Sequence, residues 1–144
     1  MKLTITISTG VVAAILGYLL WPVGQKTSPL DHVASAEAAP LARVSLPDNL
    51  SQNAQIGKVG FEAKCANCHG ANAAGTEGIA PPLIHKIYEP SHHADESFQR
   101  AVSLGVRAHH WPFGNMPAIE GLTRGDVTMI IAYIRELQRA NGIN

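Results

Sequence analysis

The chain holds only two cysteines among 144 residues, and they lie three positions apart, at Cys65 and Cys68. That removes the disulfide framework that staples small secreted domains and leaves one short segment to account for both thiols. An excess of either charge is missing too: Lys and Arg number 11, and so do Asp and Glu. There is no basic field for nucleic acid and no acidic one for basic partners, so nucleic-acid binding drops out as a function. Sustained apolar–polar alternation is also absent, and with it the signature of half-buried strands. Charge vanishes altogether from Leu3 to Gln25, a stretch that carries Ile5, Ile7, Val11, Val12, Ile15, Leu16, Leu19 and Leu20.

That stretch has the composition of a membrane segment or a signal peptide. As a helix rising about 1.5 Å per residue it reaches roughly 34 Å, enough for a hydrocarbon core of about 30 Å. Tyr18 and Trp21 fall near its far end, where amphipathic aromatics favour the headgroup level. The nearest small-x-small cleavage pattern, Ala34-Ser35-Ala36, lies well beyond Trp21, farther than a signal peptidase site normally sits from its apolar core. Residues 1–25 are therefore expected to form an uncleaved N-terminal transmembrane helix, with a cleaved signal peptide as the alternative. Residues 26–47 are small and polar with scattered prolines and no apolar period, which predicts a flexible linker. The remainder, 48–144, has the length of one ordinary domain.

Three helices can be placed in that domain by period. The first starts at about Ser51 or Asn53, sets Ile56, Val59, Gly60 and Ala63 on one stripe and leads into Cys65. The second carries Phe98, Ala101, Val102 and Gly105 at i, i+3, i+4 and i+7, with Asp95 near its start and Gly105 as its stop. The third opens on Thr123 with Asp126 three residues on, a capping-box pattern, and keeps Val127, Ile130, Ile131 and Ile134 at helical spacing toward Gly142. Gly- and Pro-rich loops lie between, at 70–82 and 108–117. An all-α domain this small and loop-rich is marginal unless something fills its centre.

The run Cys65-Ala66-Asn67-Cys68-His69 points to what does. Two thiols three residues apart, followed at once by histidine, form the c-type haem attachment signal. On one helical turn these three side chains share a side. The sulfurs can then form thioethers to the two porphyrin vinyl groups while His69 gives a nitrogen to iron. A thioredoxin-like dithiol lacks its strand–helix–strand context here, and a zinc site lacks a second pair of ligands.

Residues 51–144 resemble the class I c-type cytochromes. Gly57 and Phe61 fit the family's Gly-x-x-x-aromatic on the first helix, and Ile130 with Tyr133 fits the aliphatic-x-x-aromatic pair on the last. Pro81-Pro82-Leu83 resembles the segment whose proline carbonyl accepts the hydrogen bond of the proximal imidazole, which implies that role for Pro81. Asn115-Met116-Pro117 resembles the axial methionine segment and implies Met116 as the sixth iron ligand. The resemblance implies a small cytochrome c fold of three main helices and loops around one covalent haem c. It also implies outer-sphere transfer of single electrons, so no enzyme is expected.

The implied partners are the membrane and redox proteins such as a quinol-oxidising complex, a dehydrogenase or a terminal oxidase, met in the periplasm or otherwise outside the cytoplasmic membrane. Two alternatives stand beside this: a haem subunit of a larger dehydrogenase or oxidase complex, and an open-site haem enzyme or sensor. Among the other methionines, Met1 is in the leader and Met129 lies within the last helix as a gap-filler. Met116 sits in a loop with Trp111 and Phe113 nearby to wall the haem edge, Trp111 being read as core packing. His85, His92, His93, His109 and His110 are not family signature positions. They read as surface loop histidines, with an alternative sixth ligand among them as the competing reading. From Asp48 onward 8 Lys and Arg face 9 Asp and Glu, so no lysine-rich face is expected.

Overall fold

The computed structural model describes residues 39–144. The first helix, α1 (Gln52–Lys64), begins where Ser51 is extended and its side-chain oxygen accepts from the Ala54 N–H at 3.2 Å, satisfying a donor with no partner inside the helix. Its buried line is Ala54, Gly57 and Phe61. This corrects the expected stripe, since Ile56 and Val59 are 55% and 68% exposed. The helix turns toward the core the line on which Gly57 lies, because a neighbouring helix packs against it there; a pattern that weighs apolar bulk selects the adjacent line.

The chain runs on into the single turn α2 (Ala66–His69), closed by Gly70 at φ 72°. Helix α3 (Asp95–Leu104) carries Asp95 and Glu96 in its first turn and stops at Gly105, φ 75°, where period and residue type placed it. Helix α4 (Arg124–Ala140) has a complete capping box: Thr123 Oγ1 accepts from Asp126 N–H at 3.2 Å, and the Asp126 carboxylate accepts from Thr123 N–H at 2.8 Å. It ends two residues short of Gly142. Short 3-10 turns form at Ala71–Ala73, inside the segment 70–82 expected to be loop, and at Lys86–Tyr88, in a stretch to which no element was assigned. No strand occurs among the described residues, only isolated bridges between Thr76 and Ala80 and between Val106 and Met116.

The core forms where α1 meets α4. A Cβ on Gly57 would lie 1.8 Å from the Met129 carbonyl oxygen, so the two backbones touch in a way that only glycine allows. One turn farther on, Phe61 and Tyr133 pack with ring centroids 5.6 Å apart, tilted by 57°. Val127, Ile130, Ile131, Ile134 and Leu137 of α4 are all buried, in keeping with the period read from the sequence.

The linker expected over 26–47 is corrected at its end. Leu41 and Ala42 donate to Ala74 O at 3.1 and 2.9 Å, and Ser45 exchanges two 2.8 Å hydrogen bonds with the Asn141 side chain. Val44 and Leu50 pack on the core. From Ala39 the chain is thus fastened to the domain by backbone groups whose partners a composition count does not register. The rest of the expected linker and the expected anchor over 1–25 lie outside the described residues. No helix among the described residues is long and apolar enough to cross a membrane.

Candidate functional site

Continuity of α1 into α2 positions the attachment motif. Cys65 N–H donates to Phe61 O at 2.8 Å and His69 N–H to Cys65 O at 2.9 Å, which brings Cys65, Cys68 and His69 to one wall of a cavity of about 690 Å³. That volume lies within the range of about 300–1,000 Å³ typical of small-molecule and cofactor sites. Its floor is apolar, built from Phe61 and Phe98 and the α4 residues Val127, Ile130, Ile131 and Ile134. All five residues singled out from the sequence, Cys65, Cys68, His69, Pro81 and Met116, line it; Met129 does not.

His69 is buried, and its Nδ1 lies 2.9 Å from Pro81 O. A carbonyl oxygen can only accept, so Nδ1 carries the proton. Burial lowers the His69 pKa below the usual imidazole value, against a smaller upward pull from the Pro81 bond. The ring is therefore neutral at physiological pH, with the Nε2 lone pair free for a metal. Cys65 is half-buried, Cys68 is exposed, and neither forms a disulfide. Burial, and then the neighbouring Cys68, push the Cys65 thiol up to about 11. A raised thiol pKa leaves little of the thiolate on which a redox dithiol depends.

Met116 reaches the cavity from the far loop. Its N–H and C=O each pair with Val106 at 2.9 Å. Gly105 makes that pairing possible: a Cβ there would lie 2.6 Å from Met116 O, and its φ of 75° is one that L side chains rarely adopt. Trp111 and Phe113 stack beside it, centroids 5.8 Å apart and planes 11° from parallel. The Trp111 Nε1–H is buried and meets no acceptor in hydrogen-bonding geometry among the described residues, although the indole lies near enough to the Tyr88 hydroxyl to offset part of the rise that burial gives that group's pKa. A buried donor without a partner on a cavity wall is what an acceptor on a bound group would satisfy.

Several residues that hold the site together were not found from the sequence. Arg135 is 7% exposed and pairs with Asp95 at 2.8 Å. Its NH groups also donate to Tyr88 O at 2.7 Å, to Gln138 Oε1 at 2.6 Å and to His93 O, and its guanidinium lies 4.9 Å from the centre of the Phe98 ring. Gln138, fully buried, donates to Leu83 O and Tyr88 O at 2.9 and 3.1 Å. Together they tie the 83–93 segment to α4. The sequence signal was a charge and an amide on the buried face of an apolar helix; their carbonyl partners left no trace in it. Tyr133 Oη donates to Asn72 Oδ1 at 3.1 Å, bracing the turn after the haem motif, where Asn72 and Ala73 take φ of 54° and 59°.

Of the loop histidines, His92, His109 and His110 are exposed and His93 is half-buried. His93, His109 and His110 reach the rim of the cavity. Loss of hydration at the crowded rim, and then the neighbouring imidazoles of His109, His93 and His92, hold His110 below the usual imidazole pKa.

A helical domain built around an apolar cavity, with paired thiols and a neutral, carbonyl-anchored histidine on one wall and a loop thioether on another, has the donor set for a flat iron macrocycle. Residues 54–138 match the cytochrome c family, and the chain belongs to it. It carries covalently bound haem c and is a haem electron carrier. It is similar to the cbb3-type cytochrome c oxidase subunit FixP of Azorhizobium caulinodans, 29% identical over 135 residues that cover 82% of this chain and 43% of that protein. The chain thus spans less than half the length of this relative. No solved structure matches.

Proposed function

We propose that Cys65 and Cys68 bind the haem through thioethers, that His69 Nε2 and the Met116 sulfur hold the iron, and that the domain passes single electrons between redox proteins outside the cytoplasmic membrane. The observation that carries this reading is the 2.9 Å bond from His69 to Pro81 O, within a cavity that also receives Met116. When bound, the haem supplies one-electron chemistry between ferrous and ferric iron. The chain does the rest. Pro81 fixes the His69 ring and raises its basicity as a ligand. Met116 would close the iron position opposite His69 and leave no place for a substrate, so the domain would act as a carrier and not an enzyme. A thioether ligand and an apolar floor both disfavour the ferric charge and raise the potential. Residues 1–25 act as the membrane anchor. Because domain charges nearly cancel, encounter relies on tethered local concentration more than on long-range steering.

Similarity to an oxidase subunit favours a second reading, in which this domain delivers electrons as a haem subunit of a terminal oxidase. Stoichiometric co-purification with an oxidase from detergent-solubilised membranes would select it over a free carrier. The ligand assignment is tested by Met116→Ala. The variant should keep both thioethers but lose the weak far-red sulfur-to-iron band and bind carbon monoxide when reduced. If it retains that band, Met116 is not the ligand.

A further inference from the structure

Two loops that are far apart in sequence bring four imidazoles together at the rim of the haem cavity. His92 and His93 lie on one turn and His109 and His110 on another. Ring centroids are 4.8 Å apart for His92 and His93, 5.5 Å for His92 and His110, 5.3 Å for His93 and His110 and 4.2 Å for His109 and His110. The candidate ligand atoms of His92, His93 and His110 all lie within 4.8 Å of one another. Among the described residues no carboxylate joins this group.

Both turns are built. His92 N–H and His93 N–H donate to Glu89 O at 3.0 and 2.8 Å, and buried Arg135 holds His93 O. On the other side Ala108 N–H is held by Asn115 Oδ1 at 2.9 Å. Two of the rings are oriented as metal-binding histidines usually are: His93 Nδ1 lies 2.6 Å from Ile87 O and His109 Nδ1 lies 2.8 Å from Arg107 O. Each carbonyl fixes the proton on Nδ1 and leaves Nε2 as the donor atom.

We propose that His92, His93 and His110 form a site for one divalent transition-metal ion of the copper–zinc group, with His109 or water in the fourth position. Hard cations such as magnesium and calcium require oxygen ligands, which the cluster lacks. With metal–nitrogen bonds of about 2.0–2.1 Å, tetrahedral geometry needs nitrogens about 3.4 Å apart. The separations present exceed that by at most about 1.4 Å, a movement that rotation of exposed side chains on two anchored turns can supply. The site is separate from Cys65, Cys68, His69 and Met116, and it requires that none of these histidines be the sixth iron ligand.

The test uses the full-chain holoprotein without an oligohistidine tag, stripped by chelator. Zn(II) is titrated against a chromophoric chelator, and Cu(II) is followed by paramagnetic resonance, where bound imidazoles split the copper signal. One equivalent of either ion should bind, copper more tightly. His92→Ala/His110→Ala, which changes two exposed residues, should weaken both ions by at least about 100-fold, the upper end of what removing an outer-shell partner costs. The haem absorption bands should stay unchanged, and they report independently on iron ligation. Undiminished binding in the double variant, or no stoichiometric binding in the wild type, overturns the proposal. So does an altered haem spectrum in the double variant, which would assign these histidines to the iron.

Discussion

Two glycines on one helix, three residues apart, should respond in opposite ways to the same methyl group. At Gly57 a Cβ would lie 1.8 Å from Met129 O, 2.4 Å from its carbonyl carbon and 2.9 Å from Ile130 N. Every obstacle is backbone. A carbon–oxygen contact settles at about 3.3–3.6 Å, so α1 and α4 must separate by about 1.5 Å where they cross, loosening the adjacent Phe61–Tyr133 pair. Overpacking of this kind costs about 1–3 kcal/mol, and a rigid obstacle puts Gly57→Ala at the upper end. The better helix propensity of alanine returns about 1 kcal/mol, leaving a net loss of about 2 kcal/mol. At Gly60 the nearest atoms are Ile130 Cγ1 and Cδ1, at 3.1 and 3.3 Å, the movable end of a side chain. There the propensity gain should roughly cancel the crowding. Guanidinium unfolding of the holoprotein, followed by far-ultraviolet circular dichroism, separates the two. With a slope near 3 kcal/mol per molar, Gly57→Ala should lower the midpoint by about 0.7 M, while Gly60→Ala should leave it within about 0.3 M. Equal midpoints for the two variants would refute the crossing as the fold's contact point.

Replacing Arg135 by Met should destabilise the domain by about 3 kcal/mol or more, because it strands the His93 carbonyl and the Gln138 amide oxygen and leaves Tyr88 O with its Gln138 bond alone, at about 1–3 kcal/mol per buried unsatisfied group; chemical denaturation measures it, and a loss under 1 kcal/mol would contradict the role given to this side chain. Hydrogen bonds from Thr123 hold the Asp126 carboxyl below its ordinary range. Its contribution is thus complete above the unfolded value of about 3.9 and lost as pH falls through the lower folded value, so Asp126→Asn should flatten the acid limb of the stability profile below about pH 4, and an unchanged limb would exclude it. His69→Ala should abolish low-spin covalent haem at wild-type yield, and Cys65→Ala or Cys68→Ala should leave at most one thioether, as intact mass and the absorption spectrum of the denatured protein report; wild-type haem content in His69→Ala would remove His69 from the iron.

Helix positions were legible where the sequence carries its own punctuation. Thr123 and Asp126 start α4, Gly105 ends α3 and Ser51 starts α1, because caps act within a few residues of themselves. Which face of α1 is buried was not legible from bulk. Gly57 contributes by what it lacks, and only its i+4 spacing to Phe61, known from a family, marked it. The attachment motif could be read because it is local, with Cys65, Cys68 and His69 inside one run of five residues; Pro81 and Met116, each in a short recognisable run, line the same cavity. Arg135 and Gln138 could not be read, since their partners are carbonyls 42 to 55 residues away along the chain, and backbone acceptors have no residue type. The gathering of His92, His93 and His110 was likewise hidden, because it depends on two turns meeting in space.

The proposed function is that of a closed electron carrier, with iron held on both sides by this chain. Mixing the dithionite-reduced wild-type holoprotein with carbon monoxide at neutral pH tests it most directly. If Met116 holds the sixth position as proposed, the ferrous absorption bands should remain unchanged. Fast, complete formation of the carbon monoxide complex would show an open site and contradict the carrier reading in favour of a haem enzyme or sensor.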